Sequence, residues 1–249
     1  MRAETLTKKE LVEVGGRPII WHVMRIFSAH GFNQFVLTLG YQAEAIKRYF
    51  LEYELMCRDV TLELAHPANG DGRSRHQLHG AMDHPTWEVS LVNTGLHTEK
   101  GRRIVQVSDY LEGDRFFVAY GDDVSDVDLG ALLTFHRAHG KMATITAVQL
   151  NLQYGVVEAD EDGRVSGFRE RPRLPYWING GFMLFEKSVL PVMAAGGNVN
   201  LETEVLPELA RQGQLMVYRH SGFWKSMNTF KDTLELEQLW QKGAPWKIW

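Results

Sequence analysis

Apolar residues recur along this chain in two rhythms, helix-period stripes and short continuous runs, and the two alternate. In IIWHVMRIFSAHG (19–31) the apolar positions fall at helical spacing and the run stops at a glycine, which predicts a helix with a glycine end signal. QFVLTLG (34–40) predicts a buried strand and YQAEAIKRYFLEYE (41–54) the next helix. DVTLELA (59–65) predicts a short alternating strand, residues 66–89 a polar, histidine-bearing irregular stretch, and WEVSLVNTG (87–95) a return to strand. RRIVQVSDYL (102–111) predicts a helix, RFFVAYGDD (115–123) a strand ending in a loop, and DLGALLTFHRAHG (128–140) a helix.

KMATITAVQL (141–150) is rich in β-branched residues and predicts a strand. QYGVVEADEDGRVSGFRERP (153–172) predicts a hairpin turning at Asp162-Gly163. INGGFMLFEKSVL (178–190), LETEVLPELARQG (201–213) and MVYRHSGFW (216–224) predict strand, helix and strand, and TFKDTLELEQLWQKG (229–243) an amphipathic helix. Strands alternating with helices predict an α/β fold, a Rossmann-like, mostly parallel sheet with helices on both faces. Ligands in such folds bind beyond the carboxyl ends of the strands, and the Gly121-Asp122-Asp123 loop stands at one of those ends.

Composition adds limits. The 249 residues, 44% hydrophobic and 23% charged, suit one domain over 1–249, with 66–86 as an irregular insertion and 223–249 as a C-terminal helix and tail. A net charge of −4 argues against a nucleic-acid or anionic-membrane partner. The single Cys57 cannot form an internal disulfide, in keeping with a reducing cytoplasm. No run approaches the roughly 20 apolar residues of a membrane span. The aromatic tail GAPWKIW would be costly to leave in water, so it is expected to dock on its own domain or on a neighbouring subunit.

Taken together, VEVGGRPIIWHVMRIFSAHG, LGYQAEAIKRYF, YGDDVSDVDL, FHRAHGKMATITAV, the hairpin ending in FRERP, INGGF and GFWKSMNTFKDTLELEQLW resemble the sugar-1-phosphate nucleotidyltransferase family, and within it the glucose-1-phosphate cytidylyltransferases. The resemblance covers nearly the whole chain, in the family's order. It implies a domain that joins CTP, or another nucleotide, to a sugar 1-phosphate, releasing pyrophosphate, with Mg²⁺ as cofactor and a homo-oligomer as the expected assembly. Positioning and charge neutralisation would carry that reaction.

Residue by residue, the resemblance places Asp122 on a metal-binding aspartate, and an oxygen-only ligand suits Mg²⁺. Lys9 falls on a phosphate-binding lysine, and Arg171, in Glu170-Arg171-Pro172, on the basic residue that contacts the sugar phosphate. Asn179, Gly180 and Gly181 match a sugar-binding segment. Glu202 and Glu204 match a pair of which the first can bond sugar hydroxyls, although glutamates at a helix start are favoured by the macrodipole regardless. Gly155 matches a glycine facing the sugar, and Gly101 an element near the nucleotide base.

Four departures bear on activity. The family's GGxGTR phosphate loop and first strand would precede MRAET, where this chain starts, and its Lys-Pro-Lys-Pro is here Lys8-Lys9-Glu10-Leu11. Asp123 replaces a glycine, and Asn228 replaces the second metal-binding aspartate, so Mg²⁺ would have one fewer carboxylate. Either the natural start lies upstream, or the chain is a degenerate relative with impaired catalysis. The competing function is a non-catalytic sugar-nucleotide-binding or scaffolding subunit.

Overall fold

A computed structural model describes residues 8–63, 75–152 and 154–249. A short 3-10 turn, Lys9–Leu11, precedes β1 (Glu13–Val14), β2 (Arg17–Pro18), α1 (Ile19–Ala29), β3 (Gln34–Leu39), α2 (Ala43–Leu51) and α3 (Tyr53–Cys57). Next come β4 (Asp59–Glu63), β5 (Arg75–His79), β6 (Glu88–Asn93), α4 (Lys100–Gln106), β7 (Arg115–Val118), β8 (Asp123–Ser125) and α5 (Leu129–His139). The rest is β9 (Ala143–Val148), β10 (Val156–Ala159), β11 (Val165–Arg169), β12 (Ile178–Glu186), α6 (Leu190–Ala195), α7 (Leu206–Arg211), β13 (Leu215–Arg219), β14 (Trp224–Ser226) and α8 (Phe230–Gln241).

The central sheet has the order β13-β9-β12-β7. β13 and β9 are parallel, and β12 runs antiparallel to both β9 and β7, so β7, β9 and β13 point one way and only β12 opposes them. A second sheet pairs β3 with β6 in parallel. Among the described residues β3 pairs with β6 alone and β7 with β12 alone, so each keeps an edge without a strand partner. Both strands contribute a phenylalanine, Phe35 and Phe117, to the core that α1 helps to build.

Alternation along the strands sends side chains to two separate cores. Phe182 and Phe117 join the layer made with α1, α5 and α8, whereas Phe116, Met183 and Phe185 pack against α4, α6 and α7. That is the two-faced arrangement the periodicity predicts. The tail docks on its own domain: Trp246 is fully buried, stacks with Phe223 at 5.6 Å and donates its indole N–H to His22 Nδ1 at 3.3 Å. No helix among the described residues is long and apolar enough to cross a membrane.

Four expectations need correction. Residues 66–89 are not irregular throughout, because β5 pairs antiparallel with β4. Every residue of β4 is exposed, so the hairpin stands off the core and lacks the burial that sequence periodicity reports. Residues 66–74 of that region lie outside the described residues, as do Leu64 and Ala65 of the strand expected at 59–65 and Gln153 of the expected hairpin. The segment 216–224 is two strands: β13 ends at Arg219, the chain turns at Ser221-Gly222, and β14 leaves the main sheet to pair with β8. The helices expected at 41–54 and 102–111 each break, at Glu52 and after Gln106.

Candidate functional site

The carboxyl ends of β7 and β9 and the start of β12 lie at the same end of the sheet, since Asn179 is opposite Ala147 at the end of β9. Beyond β7 the chain turns through Tyr120, Gly121 and Asp122 before entering β8. Pairing of β8 with β14 sets Ser226 opposite Asp123, and Met227 donates its N–H to the Asp122 carbonyl at 3.0 Å. Asn228 is thereby delivered beside Asp122. The cap of α8 then holds it, because the Asp232 carboxylate accepts from the N–H groups of Asn228 at 3.1 Å and Thr229 at 2.8 Å.

The two expected cation-binding groups share a partner. Lys9, in the 3-10 turn, forms an ion pair with the Asp122 carboxylate and donates to Asn228 Oδ1 at 2.7 Å. The Asn228 amide also donates through Nδ2 to Ser226 Oγ at 3.0 Å, which orients its oxygen towards Lys9. The Asp122 side chain is 18% exposed and that of Lys9 40%, so this corner opens to solvent.

Asp123 faces inward instead. At 3% exposure its carboxyl is pushed up to about 7 by burial and by the neighbouring Asp122 charge, against an opposing hydrogen bond with Ser226. It does not stand out into the opening, as a side chain replacing glycine could. It fits because Gly181 has φ +80° at an irregularity in the β12 register, and a Cβ there would lie 2.5 Å from Asp123 Oδ2.

A polar chain continues across the same end. Asn179 Oδ1 accepts from the Gly181 N–H at 3.0 Å and its Nδ2 donates to Tyr120 Oη at 3.3 Å. Tyr120 donates to Glu202 Oε1 at 2.5 Å, and Lys100 donates to the same oxygen at 2.6 Å with its ammonium 4.5 Å from the Tyr120 ring centre. Burial and then the Glu202 carboxylate hold the Tyr120 hydroxyl well above its usual range. Burial works against the Glu202 charge, but the bonds from Lys100 and Tyr120 prevail and lower its pKa. The Gly180 carbonyl accepts from Trp224 Nε1 at 2.7 Å.

Of the expected residues, Lys9, Asp122, Asn228, Asn179, Gly180, Gly181 and Glu202 therefore meet at one end of the sheet. Glu204 does not join them: its carboxylate accepts from the Asn200 N–H at 2.7 Å while Asn200 Oδ1 caps Glu202 and Thr203, a reciprocal helix-start arrangement. Gly101 is buried under Val199, whose carbonyl lies 2.9 Å from where a Cβ would be, so close packing of α4 explains it. Gly155 lies just before β10, and Glu170 and Arg171 just after β11, at the base of that hairpin. A Cβ at Gly155 would strike Phe168 at 2.5 Å, and Glu170 and Arg171, 64% and 71% exposed, pair only loosely at 3.5 Å. Tyr120 and Lys100 were missed. Each directly precedes a residue singled out, but neither spacing nor hydropathy marks them.

The nucleotidyl transferase family profile matches residues 5–243. A glucose-1-phosphate cytidylyltransferase of Salmonella typhi is 40% identical over 250 residues, covering 99% of this chain and 93% of the relative. A mannose-1-phosphate guanylyltransferase catalytic subunit beta of Drosophila pseudoobscura pseudoobscura is 30% identical over 248 residues, covering 96% of this chain and 60% of that relative. Among solved structures, HddC from Yersinia pseudotuberculosis superposes with a TM-score of 0.63, or 0.65 in complex with GMP-PN, over 96% of this chain and 94% of HddC. At 16% and 15% identity those two show the fold alone. With the family profile spanning nearly the full length and a 40% identical relative matched almost end to end, the chain belongs to the nucleotidyl transferase family.

Proposed function

We propose that this chain binds CTP and glucose 1-phosphate at the end of the sheet described above, and that as it stands it transfers the nucleotidyl group slowly. In that reaction an oxygen of the sugar phosphate attacks the α-phosphorus of CTP. One P–O bond forms there, the bond to the oxygen bridging to the β-phosphorus breaks, and pyrophosphate leaves. The observation that supports this reading is the convergence, from five separate stretches of chain, of Lys9, Asp122, Asn179, Glu202 and Asn228 at one strand end.

Each group has a task its chemistry suits. The Asn179 amide, the Tyr120 hydroxyl and the Glu202 carboxylate offer donors and acceptors to sugar hydroxyls. Lys9, paired with Asp122, and Lys100, at one end of that chain of bonds, supply positive charge to the phosphates. The homo-oligomer and the cytoplasmic location expected of such an enzyme are part of the same proposal.

Family membership also implies Mg²⁺, which needs several oxygen donors converging on one point. Among the described residues no group of three or more His, Cys, Asp or Glu side chains converges on one point. At the expected place stand one carboxylate, Asp122, and one amide oxygen, Asn228, both already turned towards an ammonium. As arranged, they do not fit Mg²⁺, and turnover is expected to be low for that reason.

The test is to incubate the protein with glucose 1-phosphate, Mg²⁺ and each nucleoside triphosphate in turn, and to follow pyrophosphate. Slow release, greatest with CTP, is expected. Calorimetry should show glucose 1-phosphate binding weakened about tenfold by Asn179→Ala. No release with any nucleotide, together with no effect of Asn179→Ala, would defeat the proposal. A non-catalytic binding subunit is the second reading, favoured by the position of Lys9, and turnover that rises with Mg²⁺ rules it out.

A further inference from the structure

The position of Lys9 has a consequence for charge. Residues 9 and 228 lie 219 apart in the chain, yet the ammonium reaches the amide oxygen at 2.7 Å while also pairing with Asp122. Its backbone is tied into a 3-10 turn, where Val12 donates to the Lys9 carbonyl at 3.1 Å. The Asn228 side-chain amide donates to Ser226 Oγ on the other side, which directs its oxygen at Lys9, while its backbone N–H donates to the Asp232 carboxylate in the cap of α8. Taken by themselves, the one negative, one neutral and one positive group sum to no net charge, and the neighbouring Asp123 carboxyl is buried and turned away from the opening. A divalent cation entering between Asp122 and Asn228 would meet an ammonium in place of a second carboxylate, and like charges at that range repel.

We propose that Lys9 is a built-in monovalent cation for this site: it occupies the place between Asp122 and Asn228, and a divalent ion binds there only by expelling it. The proposal rests on Asp122 and Asn228 being the ligand-facing pair, but it is tested without nucleotide or sugar, so it and the proposed reaction can fail separately. Asn228 is what makes the arrangement balance. With an aspartate there, one ammonium would leave a negative charge over, which a metal ion could claim.

The probe is Mn²⁺ alone, with free ion followed by electron paramagnetic resonance. Lys9→Met should bind Mn²⁺ at least about tenfold more tightly than the unchanged protein, whereas Lys8→Met, which removes an equal charge one residue away, should change the affinity by less than about twofold. Equal or weaker binding by Lys9→Met would overturn the proposal, as would an equal gain in Lys8→Met, which would reduce the effect to the general field. A second measurement does not depend on the Lys9 variant folding. The rate at which trinitrobenzenesulfonate labels the Lys9 amine, read by peptide mass spectrometry, should rise several-fold in Asp122→Asn. An unchanged rate would show that the ammonium is not held there, and would equally overturn the proposal.

Discussion

Acidification is predicted to weaken this fold through one buried imidazole. His22 is fully buried in α1, with Nε2 2.8 Å from the Val14 carbonyl and Nδ1 facing the indole N–H of Trp246 at 3.3 Å. The pairing requires the neutral tautomer protonated on Nε2, since the carbonyl can only accept and the indole can only donate. A second proton on Nδ1 would set two N–H groups against each other inside an aromatic shell of Trp21, Trp240, Trp246 and Trp249. Burial holds the pKa down to about 4 against a usual 6.5, with Arg17 pressing the same way and Glu237 and the Val14 and Arg17 carbonyls opposing. A histidine depressed in this way is neutral in the folded protein while the unfolded chain takes up protons. Its stabilising contribution is complete above pH 6.5 and is lost as the pH falls from there towards 4.

Those two values imply a loss of about 2 kcal/mol at pH 5, and about 3 kcal/mol once both states are protonated. The total profile will not show this directly. Asp123, raised to about 7, binds its proton in the folded state and therefore adds stability as the pH falls through that same window. His136 and His139, both lowered by burial, subtract from it. Comparison with His22→Gln isolates the effect, because glutamine offers a donor and an acceptor but does not titrate. Urea unfolding followed by tryptophan fluorescence at pH 7.5 and pH 5 should show the unchanged protein losing about 2 kcal/mol more than the variant between the two. If the variant loses as much as the unchanged protein, the depressed imidazole is not the cause and the tail does not impose the neutral form.

Other outcomes follow from the site and its frame. Gly181→Ala should cost about 2–4 kcal/mol in urea unfolding, because φ +80° is unfavourable for alanine and its Cβ would meet Asp123 at 2.5 Å; adding Asp123→Gly should recover part of the loss. Glu204→Ala should lower stability by about 1 kcal/mol and leave glucose 1-phosphate binding intact, whereas Glu202→Ala should weaken that binding in calorimetry. Asn228→Asp should raise Mg²⁺-dependent pyrophosphate release, because a second carboxylate then outweighs the single Lys9 charge; an unchanged rate would count against the cation argument.

How much of this could be read from the chain alone depends on the range of the physics involved. Elements with a strong local signal were legible: α1 is an apolar run buried on every side from Ile19 to Ser28, β12 alternates its side chains between two cores, and Thr229 and Asp232 mark the start of α8 as a capping box. The β4–β5 hairpin was not, because exposed strands bury no stripe for the pattern to report. At the site the same division holds. Asp122, Asn179 and Asn228 stand in motifs of fixed local order, so the sequence could name them. Glu202 and Glu204 are two residues apart and chemically identical, and only the fold separates a site carboxylate from a cap. The contact that matters most to the electrostatics joins residue 9 to residues 122 and 228, and it exists only after β8 and β14 have paired and the 3-10 turn has folded over them. A missing carboxylate can be counted in a sequence. The ammonium that pairs with Asp122 and Asn228 is visible only where three distant segments meet, which is why an asparagine at 228 reads as simple decay in one dimension and as a partner of Lys9 in three.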